Sequence, residues 1–419
     1  MVEGRDLSGT TPHLLMVGGR AAIVEKALAN GFTVSYIGHE ASNPLSDDLV
    51  ARCAWVRYTA IDQVSWCLAL ARQRHAETSL TAVITFTELG LETAAVIADA
   101  LGVPGPQLWP TAVTKYKDRM REVLASHPTL SLPWRRVTST ADIVDFYDRY
   151  GPKIIVKPVA GYGAMGVRQI RTEAELKAAL VDPALLGEGN YLVEKLADNS
   201  EVYTVETLSA SGRHAVLAFS YAKMVDYPRS VHNYSMTPPP SDFDVLESAV
   251  VDTVREFLTA VGLTRGVAHT EIRVGENGHP VVIESHTRVA GARLWRGIEL
   301  TTGVNQIDLA LMGLIRDDIE LPHLPPSDSV AVYLSLLAPE GRVLRTADPA
   351  ALREIDGVLE VVADIEPGQE LPKVTDMTLE AGFVFLHAPD HRTANATLDA
   401  IRRTYWIEYD DGRIWNPSF

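Results

Sequence analysis

Residues 266–288, with the sequence GVAHTEIRVGENGHPVVIESHTR, predict an antiparallel hairpin. Two stretches in which polar and apolar residues alternate flank a polar turn. The dipeptide Asn277-Gly278 in that turn is a strong hairpin signal. If the turn is symmetric about this dipeptide, Glu271 lies directly opposite Glu284. We therefore expect two carboxylates on one face of the hairpin, unless a one-residue bulge shifts the register.

This acidic pair needs a positive charge nearby. Side chains that face each other across a hairpin have Cβ atoms about 5 Å apart. At an effective dielectric of about 20, two carboxylates at such a distance repel by roughly 3 kcal/mol. Hard oxygen ligands held in this way suit Mg²⁺. The alternative is a structural charge network that uses Arg273 and Arg288. The same register places His269 opposite His286.

Composition sets broad limits on the function. The 419 residues are 46% hydrophobic and 22% charged, which is typical of a globular protein of about two to four structural units. A net charge of -16 argues against a nucleic-acid partner. Two cysteines, Cys53 and Cys67, are too few for a disulfide framework and fit a reducing compartment. Without a signal-like or membrane-spanning apolar run, we expect a cytoplasmic protein with no membrane partner.

The first hundred residues predict an α/β unit. Short apolar strands at 13–19 and 32–38 flank a helix at 20–31, and a further strand and helix follow before residue 103. Strands that alternate with helices favour a parallel sheet. The Gly18-Gly19 turn is only half of a dinucleotide-binding fingerprint, so we interpret it as a tight strand-to-helix turn.

Two proline-rich stretches predict domain boundaries. VPGPQLWP at 103–110 indicates a linker, and TAVTKYKDRMREVLASH at 111–127 predicts one helix after it. LPHLPPSDS at 321–329 indicates a second boundary. Beyond it, three apolar strands and a helix at 396–407 predict a small α+β unit.

A glycine-rich turn follows a lysine on an apolar strand. Lys157 ends the strand KIIVKP, and Gly161, Gly163 and Gly166 come just after it. Glycines let backbone N–H groups converge on an anion, and a lysine adds a point charge. A Walker loop would need G-K-[ST] and a following helix, and this sequence has neither. The pattern favours a flap over phosphates, with a plain hairpin turn and a surface lysine as the alternatives.

Two further motifs are weaker when each is taken alone. Lys117 opens the charged run KDRMREVL, whose default interpretation is a solvated helix face. Glu194, Lys195 and Leu196 follow an apolar strand. They are either a simple strand end or a segment that offers backbone groups to a purine edge.

In this order the motifs resemble the ATP-grasp superfamily, and most closely its carboxylate–amine ligases of the bacterial L-amino-acid ligase type. The resemblance covers nearly the whole chain. It implies mixed α/β and α+β structure: an N-terminal Rossmann-like (pre-ATP-grasp) domain at 1–112 and an ATP-grasp domain at 113–322. It also implies a flap subdomain at about 135–197 and a small C-terminal α+β domain at 323–419.

The resemblance also implies roles for individual residues. Lys117 is expected at the α-phosphate, Lys157 between the phosphates and the adenine edge, and Glu194 in the hinge that reads adenine. The positions that match ATP-binding residues of the family are Lys117, Lys157, Gly161, Gly163, Gly166, Glu194, Lys195, Leu196 and Glu201.

The hairpin matches the catalytic centre of the family. Glu271 and Glu284 correspond to the two carboxylates that hold Mg²⁺, which Mn²⁺ can replace, between the β- and γ-phosphates. Arg288 corresponds to the arginine that stabilises the transferring phosphoryl group. His269 is a candidate to accept the proton of an amine, and packing beside His286 is the alternative.

The sequence departs from the family after Glu284. The family commonly has Glu-x-Asn-x-Arg where this chain has Glu-Ser-His-Thr-Arg, so His286 replaces the asparagine. His286 could orient a metal-bound water, contact a substrate carboxylate or simply pack. Arg293 and Arg296, in a loop that also differs from the family, are candidates to bind a substrate carboxylate. The alternative is that both are exposed helix arginines.

The resemblance implies an ATP-dependent carboxylate–amine ligase that forms an amide through an acyl-phosphate and releases ADP and phosphate. Its small-molecule acid and amine are expected to be L-amino acids or analogues. Three alternatives remain open: a carboxylase-type or purine-biosynthesis ATP-grasp ligase, a nicotinamide-dependent oxidoreductase, and a non-catalytic nucleotide-binding regulator. Substrate specificity is expected near 227–240, as a loop over substrate or a passive surface loop, and at 288–296. A homodimer is an open option.

Overall fold

The structure is a computed structural model, and it describes residues 11–39, 44–161, 163–182, 185–186, 190–197, 201–225, 231–239, 244–275, 278–316 and 328–419. The helices in this part of the chain are α1 (Ala21–Ala29), α2 (Asp47–Arg52), α3 (Val64–Glu77), α4 (Leu91–Leu101), α5 (Leu108–Lys115), α6 (Lys117–Leu124), α7 (Thr140–Tyr150), α8 (Glu173–Leu180), α9 (Asp244–Ala260), α10 (Leu294–Thr302), α11 (Gln306–Ile315), α12 (Ala350–Arg353) and α13 (His391–Thr404). The strands are β1 (His13–Val17), β2 (Thr33–Gly38), β3 (Trp55–Tyr58), β4 (Ala82–Ile84), β5 (Trp134–Val137), β6 (Ile154–Pro158), β7 (Arg168–Ile170), β8 (Tyr191–Lys195), β9 (Glu201–Ala210), β10 (Arg213–Val225), β11 (Val231–Thr237), β12 (Gly266–Val274), β13 (Pro280–His286), β14 (Val330–Ser335), β15 (Gly341–Thr346), β16 (Val358–Val362), β17 (Glu370–Leu371), β18 (Phe383–Ala388), β19 (Ile407–Tyr409) and β20 (Ile414–Trp415).

The N-terminal unit is a parallel sheet in the order β3-β2-β1-β4, with helices packed around it. This confirms the predicted α/β unit. Strands β1, β2 and β4 are apolar and largely buried because helices cover the sheet, whereas the edge strand β3 is only partly buried. Gly18 turns the chain after β1 at φ +72°, and a Cβ there would lie 2.8 Å from Oγ1 of Thr87. A side chain at position 18 would therefore clash with the segment that follows β4, the neighbour of β1 in the sheet.

The hairpin has the predicted pairing at its acidic end. Within β12 and β13, Glu271 lies opposite Glu284 and His269 opposite His286. A one-residue shift in register falls between Glu271 and Ile272, on the turn side of the acidic pair. The bulge that could have disrupted the pairing is therefore present, but it leaves the two carboxylates opposite each other. Asn277 lies outside the described residues.

An eight-stranded sheet carries this hairpin at one edge. Its order is β13-β12-β9-β10-β11-β14-β18-β16, with antiparallel pairing from strand to strand. The last three strands follow the second predicted boundary, so the C-terminal unit extends the sheet that carries the hairpin. Smaller sheets are β5-β8-β6-β7, which carries the glycine-rich turn between β6 and β7, and β17-β15-β19-β20.

The structure corrects three local expectations. The predicted helix 111–127 is two helices, α5 and α6, which are separated at Tyr116, where ψ is 102°. The predicted linker at 103–110 already contains the start of α5. Half of the expected substrate loop at 227–240 is strand β11, which pairs with β10 and β14. Residues 227–230 and 240 of that loop lie outside the described residues, as do 317–327 at the second boundary.

Two composition-based expectations also bear on the fold. Cys53 is half-buried and Cys67 is buried, and both are free thiols. Among the described residues, no helix has the length and apolar character that a membrane span requires.

The core between α9 and the hairpin is expected to stabilise the eight-stranded sheet. Phe257 on α9 is fully buried with Ile272 and Val282, which are on the hairpin strands. Replacing Phe257 with Ala should lower the free energy of unfolding by about 3–5 kcal/mol, because the cavity cannot close completely. Urea denaturation measures this loss. Trp66→Ala is the control, because Trp66 is 57% exposed; an equal loss in both variants would contradict this account.

Candidate active site

The acidic pair of the hairpin faces a cleft. The cleft lies between helix α6, the eight-stranded sheet and the β5-β8-β6-β7 sheet, which is called the flap sheet below. The side chains of Glu271 and Glu284 are 30% and 17% exposed. The cleft is open to solvent and contains about 1050 Å³ of empty space. Its walls include the following candidate residues from the sequence: Lys117, Lys157, Gly161, Gly163, Glu194, Lys195, Leu196, Glu271 and Glu284.

Lys117 links the glycine-rich turn at 161–166 to the hairpin. It is the first residue of α6, and the break at Tyr116 separates this helix from α5. Its Nζ lies 2.8 Å from Oε2 of Glu284 and donates to the carbonyl of Gly161 at 3.3 Å. Burial alone would lower the pKa of Lys117, but the charge and hydrogen bond of Glu284, together with the charges of Glu88 and Glu194, outweigh burial and raise it. Lys117 therefore remains a cation inside the cleft, contrary to the interpretation of a solvated helix face.

Glu194 lies at the centre of a buried charge cluster. Arg121, which is 1% exposed, donates from Nε at 2.7 Å and from Nη2 at 3.2 Å to the two carboxylate oxygens of Glu194. Nζ of Lys157 lies 2.8 Å from Oε2 of the same carboxylate. Arg121 also donates to the carbonyl of Val282 on β13. The cluster therefore ties the flap sheet to the hairpin.

The charges in this cluster alter two pKa values. Burial raises the pKa of Glu194, but Arg121 and Lys157 outweigh burial and lower it to about 2. The pKa of Lys157 is lowered, because burial and two neighbouring cations outweigh the attraction of Glu194. The hinge N–H groups of Lys195 and Leu196 donate to the carbonyls of Pro133 and Lys153. The carboxylate of Glu194 thus pairs with Arg121 and Lys157, while residues 194–196 line the cleft.

His269 is held between two carboxylates. Its Nδ1 lies 2.5 Å from Oε1 of Glu206, and its Nε2 lies 3.7 Å from Oε1 of Glu271. Burial lowers the pKa of His269, but Glu206 and Glu271 outweigh burial and raise it to about 10. A histidine that is already charged at neutral pH is a poor proton acceptor. The geometry favours a packing and charge-balancing role, with the ring stacked on His286 at 6.1 Å.

Glu88 joins the N-terminal unit to the hairpin. Its Oε2 lies 3.0 Å from Nε of Arg288 and 2.8 Å from Nδ1 of His286. Nε2 of His286 lies 3.5 Å from Oε1 of Glu284. The pKa of Glu88 is about 2, because His286 and Arg288 outweigh the effect of burial. His286 thus lies between Glu88 and the acidic pair.

Two family models match parts of this chain. Residues 151–295 match the ATP-grasp domain, and residues 335–410 match the L-amino acid ligase C-terminal domain 2. The chain therefore contains an ATP-grasp domain and a C-terminal domain of the L-amino acid ligase type, and these matches support an ATP-dependent ligase. The first match contains the glycine-rich turn, the hinge and the hairpin, and the second covers strands β15 to β19 and the elements between them.

Individual relatives of this ATP-grasp chain are distant. An uncharacterized protein, y4rH of Sinorhizobium fredii, is 26% identical over 78% of this chain and 68% of its own length. The alanine–anticapsin ligase of Bacillus subtilis is 23% identical over 66% of this chain and 64% of its own length. The crystal structure of an L-amino acid ligase from Bacillus licheniformis superposes with a TM-score of 0.80 at 19% identity, and covers 96% of this chain and 99% of that one. The superposition shows the ATP-grasp fold.

Several predicted site residues lie away from the cleft walls of this ATP-grasp chain. Arg293 forms a two-pronged ion pair with Glu360 of the C-terminal unit at 2.9 and 2.6 Å, and Arg296 lies 3.3 Å from the same carboxylate. A protein carboxylate therefore occupies the position that the sequence assigned to a substrate. Gly166 lies against Pro158. Glu201 begins β9, and its side chain lies outside the described part of the structure.

Sequence reasoning missed Glu88, Arg121 and Glu206. Glu88 follows β4 by four residues, at the carboxyl edge of a parallel sheet where ligand-facing side chains gather; this position was a usable signal. Arg121 lies one helical turn after Lys117 on α6, and both are buried. Nothing in the sequence near Glu206 indicated its pairing with His269, because only the β9–β12 pairing brings the two residues together.

The two hairpin carboxylates fit the Mg²⁺ that the ATP-grasp family uses with ATP. In the described part of the chain, no three histidines, cysteines or acidic residues form a cluster that could hold a metal. Mg²⁺ at nucleotide sites is usually held by one or two carboxylates together with substrate phosphates. Glu271 and Glu284 supply such a pair, and in this structure Lys117 neutralises Glu284.

The Glu194 cluster should make stability depend on pH in one direction. Because the pKa of Glu194 is lowered to about 2, its contribution is fully present above about pH 4.5 and is lost as the pH falls through about 2. Glu194→Gln should cost about 3–5 kcal/mol at pH 7, since it leaves two buried cations without their anion. Urea denaturation of wild type and Glu194→Gln from pH 7 to pH 2 measures this cost. The difference between their free energies of unfolding should narrow below pH 4.5.

The control for this experiment is Glu173→Gln, which removes one partner of an exposed ion pair with Lys177. We expect little change in stability at any pH in that variant. A gap between wild type and Glu194→Gln that stays constant down to pH 2 would contradict the assigned charge state of Glu194.

Proposed function

We propose that this ATP-grasp enzyme is a carboxylate–amine ligase that forms an amide or peptide bond between small substrates. The observation that carries the proposal is the pairing of Glu271 with Glu284 beside the buried cations Lys117 and Lys157. Two carboxylates for a divalent ion and two cations for phosphates, in one cleft, fit a nucleoside triphosphate with its metal.

The proposed site uses different elements for different parts of ATP. Lys117 and Lys157 hold phosphates, and the turn that contains Gly161, Gly163 and Gly166 offers backbone donors. The segment 194–196 lies along the cleft wall on the proposed adenine side; because the N–H groups of Lys195 and Leu196 already donate to Pro133 and Lys153, an adenine contact there would use carbonyl oxygens. Glu271 and Glu284 hold Mg²⁺, for which Mn²⁺ could substitute; when bound, the ion neutralises phosphate charge.

The proposed reaction has two steps. A substrate carboxylate attacks the γ-phosphoryl group of ATP, so that ADP leaves and an acyl-phosphate forms. An amine then attacks the acyl carbon, phosphate leaves and the amine loses a proton. The protein contributes positioning and charge, with Arg288 held by Glu88 as the candidate that stabilises the transferring phosphoryl group. Exclusion of water by the glycine turn would protect the acyl-phosphate.

The proposed substrates are L-amino acids or close analogues. The support is the C-terminal match to the L-amino acid ligase domain and the relative named alanine–anticapsin ligase. An ATP-grasp ligase of the carboxylase or purine-biosynthesis type would share the ATP residues and differ only in its acceptor. Membership of a ligase family speaks against the nicotinamide-dependent oxidoreductase. Cytoplasmic location and a homodimer remain predictions.

The decisive experiment measures phosphate release from ATP and Mg²⁺ across a matrix of paired L-amino acids, with mass spectrometry of the products. We expect phosphate release that requires two amino acids, together with a product lighter than their sum by one water. ATP binding without phosphate release anywhere in the matrix would overturn the amino-acid assignment. Bicarbonate and purine precursors, tested in the same assay, identify the competing ligase types.

Replacing Glu284 with Gln tests the metal assignment. The variant keeps the size of the side chain but removes the charge that faces Lys117, so we expect at least a hundredfold loss of kcat, of the order seen when one electrostatic contact to a transition state is removed. The matched control is Glu173→Gln on the exposed face of α8, which should retain wild-type activity. Wild-type turnover in Glu284→Gln would exclude Glu284 as a metal ligand.

A further inference from the structure

The C-terminal unit reaches into the ATP cleft at a short 3₁₀ helix, Met377–Leu379. Met377 lines the cleft together with Gly163 and Ala164 of the glycine turn. Its backbone N–H donates to the carbonyl of Gly163 at 3.0 Å. Beneath it, Val374 and Leu337 are buried and pack against the Met377 side chain. The contact thus joins the C-terminal unit directly to the turn that lies over the cleft.

Local structure fixes the direction of this N–H group. Asp376 caps the 3₁₀ helix with φ -162° and ψ 173°, and its Oδ1 accepts from the N–H of Thr378 at 3.0 Å. Asp376 is itself buried. The first N–H groups of a helix have no partner inside the helix, so the N–H of Met377 is free to bind the turn.

The turn is built for close approach at the same point. Gly163 has φ +64°, and a Cβ placed on it would lie 3.6 Å from Cβ of Met377. Ala164 also has positive φ, at 62°. Because a peptide unit is planar and trans, holding the carbonyl of Gly163 also fixes the direction of the Ala164 N–H. That N–H is one of the backbone donors that such a turn can offer to a phosphate.

We infer that Met377 is a positioning residue of the nucleotide site, through which the C-terminal unit holds the glycine turn in its phosphate-binding arrangement. The inference rests on the proposed binding of ATP in this cleft. It gives the C-terminal unit a role in every turnover: it keeps the turn over ATP until the γ-phosphoryl group is transferred, and over ADP and the acyl-phosphate until the amine attacks. Loss of the contact should weaken ATP binding and let water reach the intermediate.

Met377→Pro removes the donor with little disturbance of the local backbone. Proline is favoured at the first position of a helix, where its missing N–H has no partner within the helix. It also requires an extended preceding residue, and Asp376 is extended. Met377→Ala is the matched control, because it shortens the side chain and keeps the N–H.

We expect Met377→Pro to raise the KM for ATP about tenfold, the effect of losing about one hydrogen bond. It should also release more phosphate per amide formed, because water competes for the intermediate. Met377→Ala, which keeps the N–H, should change both measurements clearly less than Met377→Pro does, and Glu173→Gln on the exposed face of α8 should stay within about twofold of wild type. Asp376→Ala, which loosens the helix but keeps the N–H, should fall between the two Met377 variants.

The outcomes separate this inference from the proposed function. If Met377→Pro keeps its melting temperature, wild-type KM for ATP and wild-type phosphate-to-amide ratio, the inference is overturned. If Met377→Pro does not fold, Asp376→Ala decides: an unchanged KM and ratio overturns the inference, and a rise in both supports it. Failure of the wild-type protein to bind ATP would instead overturn the proposed function on which the inference rests.

Discussion

Repulsion between Glu271 and Glu284 is the constraint around which the charged residues of the cleft are arranged. The β12–β13 register places the two carboxylates directly opposite each other, which destabilises the sheet unless cations lie nearby. Lys117 lies 2.8 Å from Glu284, and His269 lies 3.7 Å from Glu271. Each of these cations is buried, so each in turn needs the carboxylates in order to stay charged. The acidic pair and its cations therefore depend on one another.

The charges continue outward as a chain of alternating sign. Glu88 of the N-terminal unit contacts His286, which contacts Glu284, which contacts Lys117, and Lys117 reaches the carbonyl of Gly161 in the glycine turn. A change in charge at any one member alters the field at the others, because buried charges are weakly screened. These contacts run from the N-terminal unit through the hairpin to the glycine turn.

Local patterns in the sequence predicted the elements well where one force dominates. Burial of apolar strands gave the parallel sheet, and the Asn-Gly turn signal with alternating residues gave the hairpin and its acidic pair. The sequence did less well where tertiary contacts override local preference. The helix 111–127 breaks at Tyr116, and this break frees Lys117 to begin a new helix that reaches Glu284. Strand β11 appeared as a loop because its pairing partner β14 lies about a hundred residues away in sequence.

By itself, the sequence determined the face of the hairpin on which Glu271 and Glu284 lie, since side-chain alternation is a local property of a strand. It also determined the lysine-plus-glycine turn, because both follow from residues that are neighbours in the chain. Only the tertiary structure decided which charges neutralise which. Arg121 meets Glu194 and Glu88 meets Arg288 across separations of 73 and 200 residues. The tertiary structure also pairs Arg293 with Glu360 of the C-terminal unit. Ion pairing acts between groups that packing brings together, and no local pattern encodes that proximity.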